Sequence, residues 1–364
     1  MRMIQAALLN VGSGAHSAMR KLTAIDLFSG CGGLTLGLKQ AGFRVLVAIE
    51  IENKANETYA KNHSEVLLKR RNICRVPVWS IRDELKLVPG QLDLLAGCPP
   101  CQGFSVLRTQ NGARSGEDKR NYLIYQMLRF ARVLRPKALM MENVPKLRDD
   151  PSFHEFCDQL SSLGYRVIWA IKDAARYGVP QRRKRLILLA GLGFEVPFAD
   201  EAGDLVSVRQ TIGGLDAAGA SGDELHDLPE RRAQHVRQLI RDIPKDGGSR
   251  RDLPDERQLG CHQRQDGFYD IYGRMAWDDV APTITSGCHN PSKGRFLHPV
   301  EDRAITLREA ALLQGFPKEY RFPISAGKEA IALMIGNALP PEFIRRHALS
   351  VRAALTSQAR ATRP

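Results

Sequence analysis

The stretch LTAIDLFSGCGGLTLGLKQAG, residues 22–42, decides how the chain folds. Its start, "LTAIDLF", is a short β-rich apolar run. The run breaks at a glycine cluster, Gly30, Gly32 and Gly33, and beyond the cluster helical spacing continues as far as Gly42. The pattern predicts strand, tight turn, helix. A second apolar run, "FRVLVAIE", comes next, so an acid, Glu50, closes the second strand 24 residues after Asp26 in the first.

A glycine-rich first turn with an acid about 20 residues further on is the layout of a nucleoside-binding sheet, the carboxylate taking ribose hydroxyls. The glycines here meet neither G-x-G-x-x-G nor G-x-x-x-x-G-K-[ST]. Those two patterns serve phosphate chains. Their absence disfavours NAD, FAD and ATP and favours a cofactor without a pyrophosphate, of which S-adenosylmethionine is the common one.

Further along, a polar helix is expected from about Lys54 to Asn62, and "LDLLAG" reads as a buried strand leading into "GCPPCQGFS", residues 97–105. "YLIYQMLRFARVLRP" reads as a helix stopped by Pro136, and "ALMMENV" as a strand ending at Glu142. Strands and helices alternating at these lengths predict an open, largely parallel sheet with helices on both faces. Ligands of such sheets lie at the carboxyl ends of the strands, and Phe28, Glu50, Cys101 and Glu142 fall at or just after such ends. From about residue 191 to 305 the texture changes to Gly, Pro, Asp, Arg and His with short aromatic or β-branched pieces, "FYDIYGRMAW", "APTITS" and "GRFLHP". This predicts a second, smaller and irregular domain. Helical patterning returns over 305–322 and in "EAIALMIGNALPPEFIRRHALSVRAAL".

With 364 residues the chain has room for one large domain and a smaller one. No apolar run approaches the roughly 18 residues of a membrane span. A formal charge of +13, from 53 Lys plus Arg against 40 Asp plus Glu, makes polyanions natural partners. Seven cysteines, an odd number, suit a reducing compartment better than a disulfide framework. The first 20 residues read as a disordered extension, with Met19 as an alternative start.

The C-x-x-C at Cys98 and Cys101 has three readings. A redox pair belongs in a short thioredoxin-like domain. A zinc site needs two further ligands, and there is no second C-x-x-C; Cys261-His262 and Cys288-His289 are adjacent residues that point apart in a strand, so no metal is expected. A nucleophile with a neighbouring thiol fits best. Here the sequence resembles the DNA (cytosine-5)-methyltransferases of bacterial restriction-modification type. The resemblance rests on "DLFSGCGG", "GCPPCQGFS", "ENV" at 142–144, "QRRKR" at 181–185, "REAALLQGFP" at 308–317 and "GNALPP" at 336–341, in that order across nearly the whole chain.

The resemblance implies an α/β S-adenosylmethionine-dependent methyltransferase fold, a Rossmann-like mixed sheet with helices on both faces, plus a smaller irregular target-recognition domain. Residues 21–190, completed by 325–358, would be catalytic and cofactor-binding, and 191–324 would read DNA. It makes Cys101 the nucleophile that adds to carbon 6 of a flipped cytosine, Glu142 the acid at ring nitrogen 3, Arg185 the holder of the exocyclic oxygen, and Arg183 an aid to the thiolate or a phosphate. Cys98 is then a bystander. For the cofactor it implies Phe28, Ser29, Gly30, Gly32, Gly33, Glu50, Ile51, Pro100, Asn337 and Leu339. Asn72, in "RNIC", stands where the family usually has an acid that accepts from the adenine amino group. For DNA it implies Gln102, Ser105 and Arg108 on a basic loop after Cys101, and Arg274, Thr283 and Arg295 in the second domain. The expected partner is double-stranded DNA, possible company a restriction endonuclease, and the setting the cytoplasm, close to the nucleoid, of a bacterium or phage host, as a monomer. A tRNA cytosine-5 methylase of the same fold, a silent DNA-binding module and a thiol redox protein are the other readings.

Overall fold

In the computed structural model, residues 21–100, 123–257 and 270–361 are described. The chain forms β1 (Thr23–Leu27), α1 (Gly33–Gln40), β2 (Arg44–Glu50), α2 (Asn53–Asn62), β3 (Leu67–Arg70), α3 (Val78–Glu84), β4 (Leu94–Gly97), α4 (Ile124–Leu134), β5 (Ala138–Asn143), α5 (Pro151–Ser162), β6 (Tyr165–Asp173) and β7 (Lys184–Leu192). The strands are apolar because both faces are covered: β4 and β5 are buried along their whole length. Helix α5 starts where Asp150 accepts from the Ser152 amide and Pro151 occupies the first turn.

The seven strands lie in the order β3-β2-β1-β4-β5-β7-β6. Strands β1 to β5 are parallel, and β7 runs antiparallel to both of its neighbours. The expectation of a mixed sheet with helices on both faces is met. The order reverses between β1 and β4, which puts the crevice of a doubly wound sheet at their carboxyl ends. The antiparallel β7 matters as much: pairing Asn143 with Leu186 brings the start of β7 to the edge where β5 ends.

One face carries Ile25, Leu27, Val47, Leu95 and Leu139 packed with Phe130, Phe153 and Phe156 from α4 and α5. The other carries Ala24, Ala48, Leu94 and Met140 packed with Leu34 and Leu38 of α1 and with Phe343, Ile344 and Val351 of a C-terminal helix. That helix is the last of five among the described residues after β7: α6 (Val208–Ile212), α7 (Gln234–Asp242), α8 (Leu307–Leu313), α9 (Lys328–Asn337) and α10 (Pro341–Ala361). A third cluster joins Val208, Ile212, Met275, Ile284 and Phe296 to Ile331 and Ile335 of α9 and to Cys31 and Ala55 beside the glycine turn.

Between α7 and α8 the described residues contain only short 3-10 turns and isolated bridges such as Arg274 to Leu297. The irregular texture read from the sequence is real. The helix expected over 305–322 is shorter, Leu307–Leu313, entered through a capping box between Thr306 and Glu309 and ended by Gly315 at φ +90° and Pro317.

Candidate active site

The glycine turn after β1 is built under two constraints. Phe28 has φ +62°, a conformation uncommon for a non-glycine residue, which turns the chain out of the sheet. Gly32 has φ +101°, and a Cβ there would lie 2.5 Å from His63 Nε2 and 2.7 Å from Tyr320 Oη. Those two side chains clamp the turn from behind: Tyr320 Oη donates to the Cys31 carbonyl at 2.5 Å, and His63 Nε2 lies 3.2 Å from the Gly32 carbonyl and 3.1 Å from Tyr320 Oη. Burial, with Lys39 adding to it, lowers the His63 pKa to about 4, so the ring is neutral. Gly33 is fixed by contact too, since a Cβ would meet the Leu339 carbonyl at 2.5 Å.

Glu50 ends β2 facing this turn. Its Oε2 accepts from the Gly30 amide at 2.8 Å, and its Oε1 from the amides of Ile51 and Glu52, each at 2.8 Å. Three amides thus aim the carboxylate. Ser29 is buried with its amide on the Ile49 carbonyl, and Phe28 is half-buried. Ile51 is an apolar side chain left 57% exposed beside the acid. Glycine turn, oriented acid, Phe28 and Ile51 therefore gather at the carboxyl ends of β1 and β2, with Leu339 against Gly33, and they suit a nucleoside. Asn337 ends α9 and is exposed; Pro100 is half-buried at the end of the described segment. Asn72 is exposed, but its carbonyl oxygen already accepts from the Cys74 amide at 2.9 Å, capping a short 3-10 turn.

On the neighbouring strand ends lies the second group. Glu142 is buried, 2% exposed, and its Oε1 is 2.9 Å from Arg185 Nε. Arg185 can reach because β7 runs backwards: Glu142 pairs with Ile187, which puts Arg185 diagonally opposite on the same face. The contact is an ion pair without hydrogen-bond alignment, so among the described residues Oε1 has no hydrogen-bond donor. Its Oε2 accepts from the Cys98 thiol at 3.0 Å. Asn143 donates to the Pro99 carbonyl at 3.0 Å, tying the strand end to the loop that leaves β4. Cys101, Gln102, Ser105 and Arg108 lie outside the described residues.

Arg183 is held at both terminal nitrogens, while its Nε has no partner among the described residues. It is buried, and its terminal nitrogens donate to the carbonyls of Ile284, Gly336 and Ala338 at 2.9, 2.9 and 3.2 Å. Burial, reinforced by Arg185, lowers its pKa to about 9, which leaves it charged at neutral pH. Those nitrogens are not free for a thiolate or a phosphate; the side chain pins three chain segments together. Sequence reasoning missed its companion Gln181, also buried. It accepts from the Ile284 amide at 3.0 Å and donates to the Leu313 carbonyl at 3.0 Å and to Gln314 Oε1 at 2.6 Å. Gln314 passes the link to the Ala338 carbonyl. The only signal in the sequence was that Gln181 opens "QRRKR".

Of the three DNA contacts expected in the second region, Arg274 needs correction. Arg274 has no exposed surface. It donates to the carbonyls of Ile240, Ile243, His298 and Glu301 and to Asp302 at 2.7 Å, so it closes the core around α7. Arg295 commits Nη1 to the carbonyls of Gly247 and Arg274, both at 2.8 Å, and keeps only a 3.4 Å contact from Nη2 to Asp270. Thr283 is half-buried with its hydroxyl on the Arg182 carbonyl at 2.6 Å.

The model of the family described as C-5 cytosine-specific DNA methylase matches residues 22–352. The type II methylase M.HgiDII of Herpetosiphon aurantiacus is 36% identical over 90% of this chain and 94% of its own length. The type II methyltransferase M1.HphI of Haemophilus parahaemolyticus is 31% identical over 88% and 84%. Among solved structures, one described as a DNA modification methyltransferase encoded within a prophage (E. coli) superposes with TM-score 0.68 at 26% identity, covering 92% of this chain and 99% of that one. The chain belongs to the C-5 cytosine-specific DNA methylase family and is an S-adenosylmethionine-dependent DNA (cytosine-5)-methyltransferase.

Proposed function

We propose that the chain modifies a cytosine within one specific duplex sequence, by flipping the base out and adding the Cys101 thiolate to carbon 6. Carbon 5 of cytosine is a poor nucleophile, and thiolate addition turns it into an enamine. S-adenosylmethionine, when bound, supplies the electrophilic methyl group. Phe28 and Ile51 would flank the adenine, Glu50 would take the ribose hydroxyls, and Ser29, Gly30, Gly32, Gly33, Pro100, Asn337 and Leu339 would line the rest. Glu142 meets the negative charge that develops at ring nitrogen 3, by proton or hydrogen bond, and Arg185 holds the exocyclic oxygen. The observation that carries this reading is the buried Glu142 paired with Arg185 and touched by Cys98, three residues before Cys101, beside the nucleoside crevice.

Residues 191–324 read the duplex in this proposal. Thr283 is a candidate there and the exposed Lys293 joins it, together with Gln102, Ser105 and Arg108 after the nucleophile. The enzyme works as a monomer in the bacterial cytoplasm, at the nucleoid, alongside a restriction endonuclease with the same site. The test is methyl transfer from labelled S-adenosylmethionine to mixed-sequence duplex DNA and to bulk tRNA, with wild type and Cys101→Ser. Label on carbon 5 of DNA cytosine that disappears in the variant is the expected result. Label on tRNA alone would reassign residues 191–324 to RNA, and label that survives in Cys101→Ser would remove Cys101 as nucleophile.

A further inference from the structure

We infer that Cys98, the first thiol of the C-x-x-C pair, is a positioning residue that sets which oxygen of Glu142 faces the target base. The inference rests on the catalytic reading of Glu142 above. A glutamate carboxyl group turns through a broad, nearly two-fold torsion at its last bond, so burial alone does not choose between its oxygens. Here the two are made unequal. Oε2 receives the Cys98 S–H at 3.0 Å, while Oε1 has only the charge of Arg185 at 2.9 Å and no aligned donor among the described residues. An unsatisfied buried carboxyl oxygen is costly, and the exocyclic amine of an incoming cytosine presents the donor Oε1 lacks.

The thiol is itself held. The Cys98 amide donates to the Leu27 carbonyl at 3.2 Å, where β1 ends, and Asn143 fixes the Pro99 carbonyl at 3.0 Å. The donor therefore sits on the stretch that leaves β4, three residues before Cys101 in the sequence. A thiol suits the task, being a weak donor that orients a carboxylate without competing with the base for it.

The experiment uses the full chain with Cys98→Ala, Cys98→Ser and Glu142→Gln, measuring methyl transfer to duplex DNA across pH together with thermal melting. Cys98→Ala is expected to lower kcat about tenfold with KM for S-adenosylmethionine unchanged. Cys98→Ser, which keeps a donor, is expected to restore most of kcat. Equal loss in Ala and Ser variants with lowered melting would reduce Cys98 to packing, and wild-type kcat in Cys98→Ala would overturn the inference outright. Full activity in Glu142→Gln would instead overturn the reading of Glu142 on which it rests.

Discussion

Asp26 sits one strand away from the chemistry and offers a sharp test of how the cofactor end of the sheet is held. It has no exposed surface; Thr35 donates to its Oδ2 at 2.7 Å, the Thr35 hydroxyl meets Tyr59 Oη at 2.8 Å, and Oδ1 has no partner among the described residues. Burial raises its pKa to about 7, against the pull of the Thr35 hydrogen bond and with a further push from Glu50. In the unfolded chain the group titrates near 3.8. Between those two values the folded protein holds a proton that the unfolded chain has released, so stability from this group is fully present below about 4 and drains away as pH rises to about 7. The slope reaches about 1.4 kcal/mol per pH unit and the whole loss is on the order of 4 kcal/mol.

Asp26→Asn keeps the shape and an acceptor for Thr35 and has no proton to lose. Relative to wild type the variant should therefore gain steadily between pH about 4 and about 7 and then level off, by several degrees in melting temperature in all. Melting curves of both proteins from pH about 5 to about 8 measure the difference directly, with the contribution of every other group cancelled. A difference that does not change with pH would refute the argument. A variant that loses ground as pH rises would mean that the anion is stabilised in place and that burial is the smaller effect.

Tyr320→Phe removes the hydroxyl that holds the Cys31 carbonyl and meets His63. Calorimetry with S-adenosylhomocysteine should show binding weakened about fivefold, from roughly 1 kcal/mol for one hydrogen bond, while kcat at saturating cofactor stays near wild type; unchanged binding would show that His63 holds the turn alone. Arg274→Met leaves four carbonyls without this donor and Asp302 with Lys245 alone. The loss should be about 3 kcal/mol or more of stability, seen in melting, with DNA affinity of the folded fraction unchanged; a stable variant with weakened DNA binding would return Arg274 to the DNA surface.

The half of the molecule around the sheet was legible because its constraints act within a few residues. Buried strands are apolar runs, and the turn before α1 needs glycine where φ is +101° and where His63 and Tyr320 leave no room for a Cβ. Strand direction is not local. "RLILLAG" reads equally well either way up, yet only the antiparallel setting of β7 brings Arg185 onto Glu142. The arginines failed for a related reason. Arg183 and Arg274 look in the sequence like cations for a polyanion, and both are taken up by backbone carbonyls. Every residue carries a carbonyl, so no residue type at any spacing announces that a guanidinium will find four of them turned inward. The deciding feature is irregular chain, whose carbonyls have no ladder partner and must be satisfied from elsewhere once buried. The segments that Arg183, Arg274 and Arg295 bind are such chain or the last turns of α7 and α9, whose final carbonyls have no partner within the helix. In this region the guanidinium takes the place that a strand partner has in the sheet, and the net charge of +13 overstates the cation in reach of DNA by at least the two buried side chains, Arg183 and Arg274.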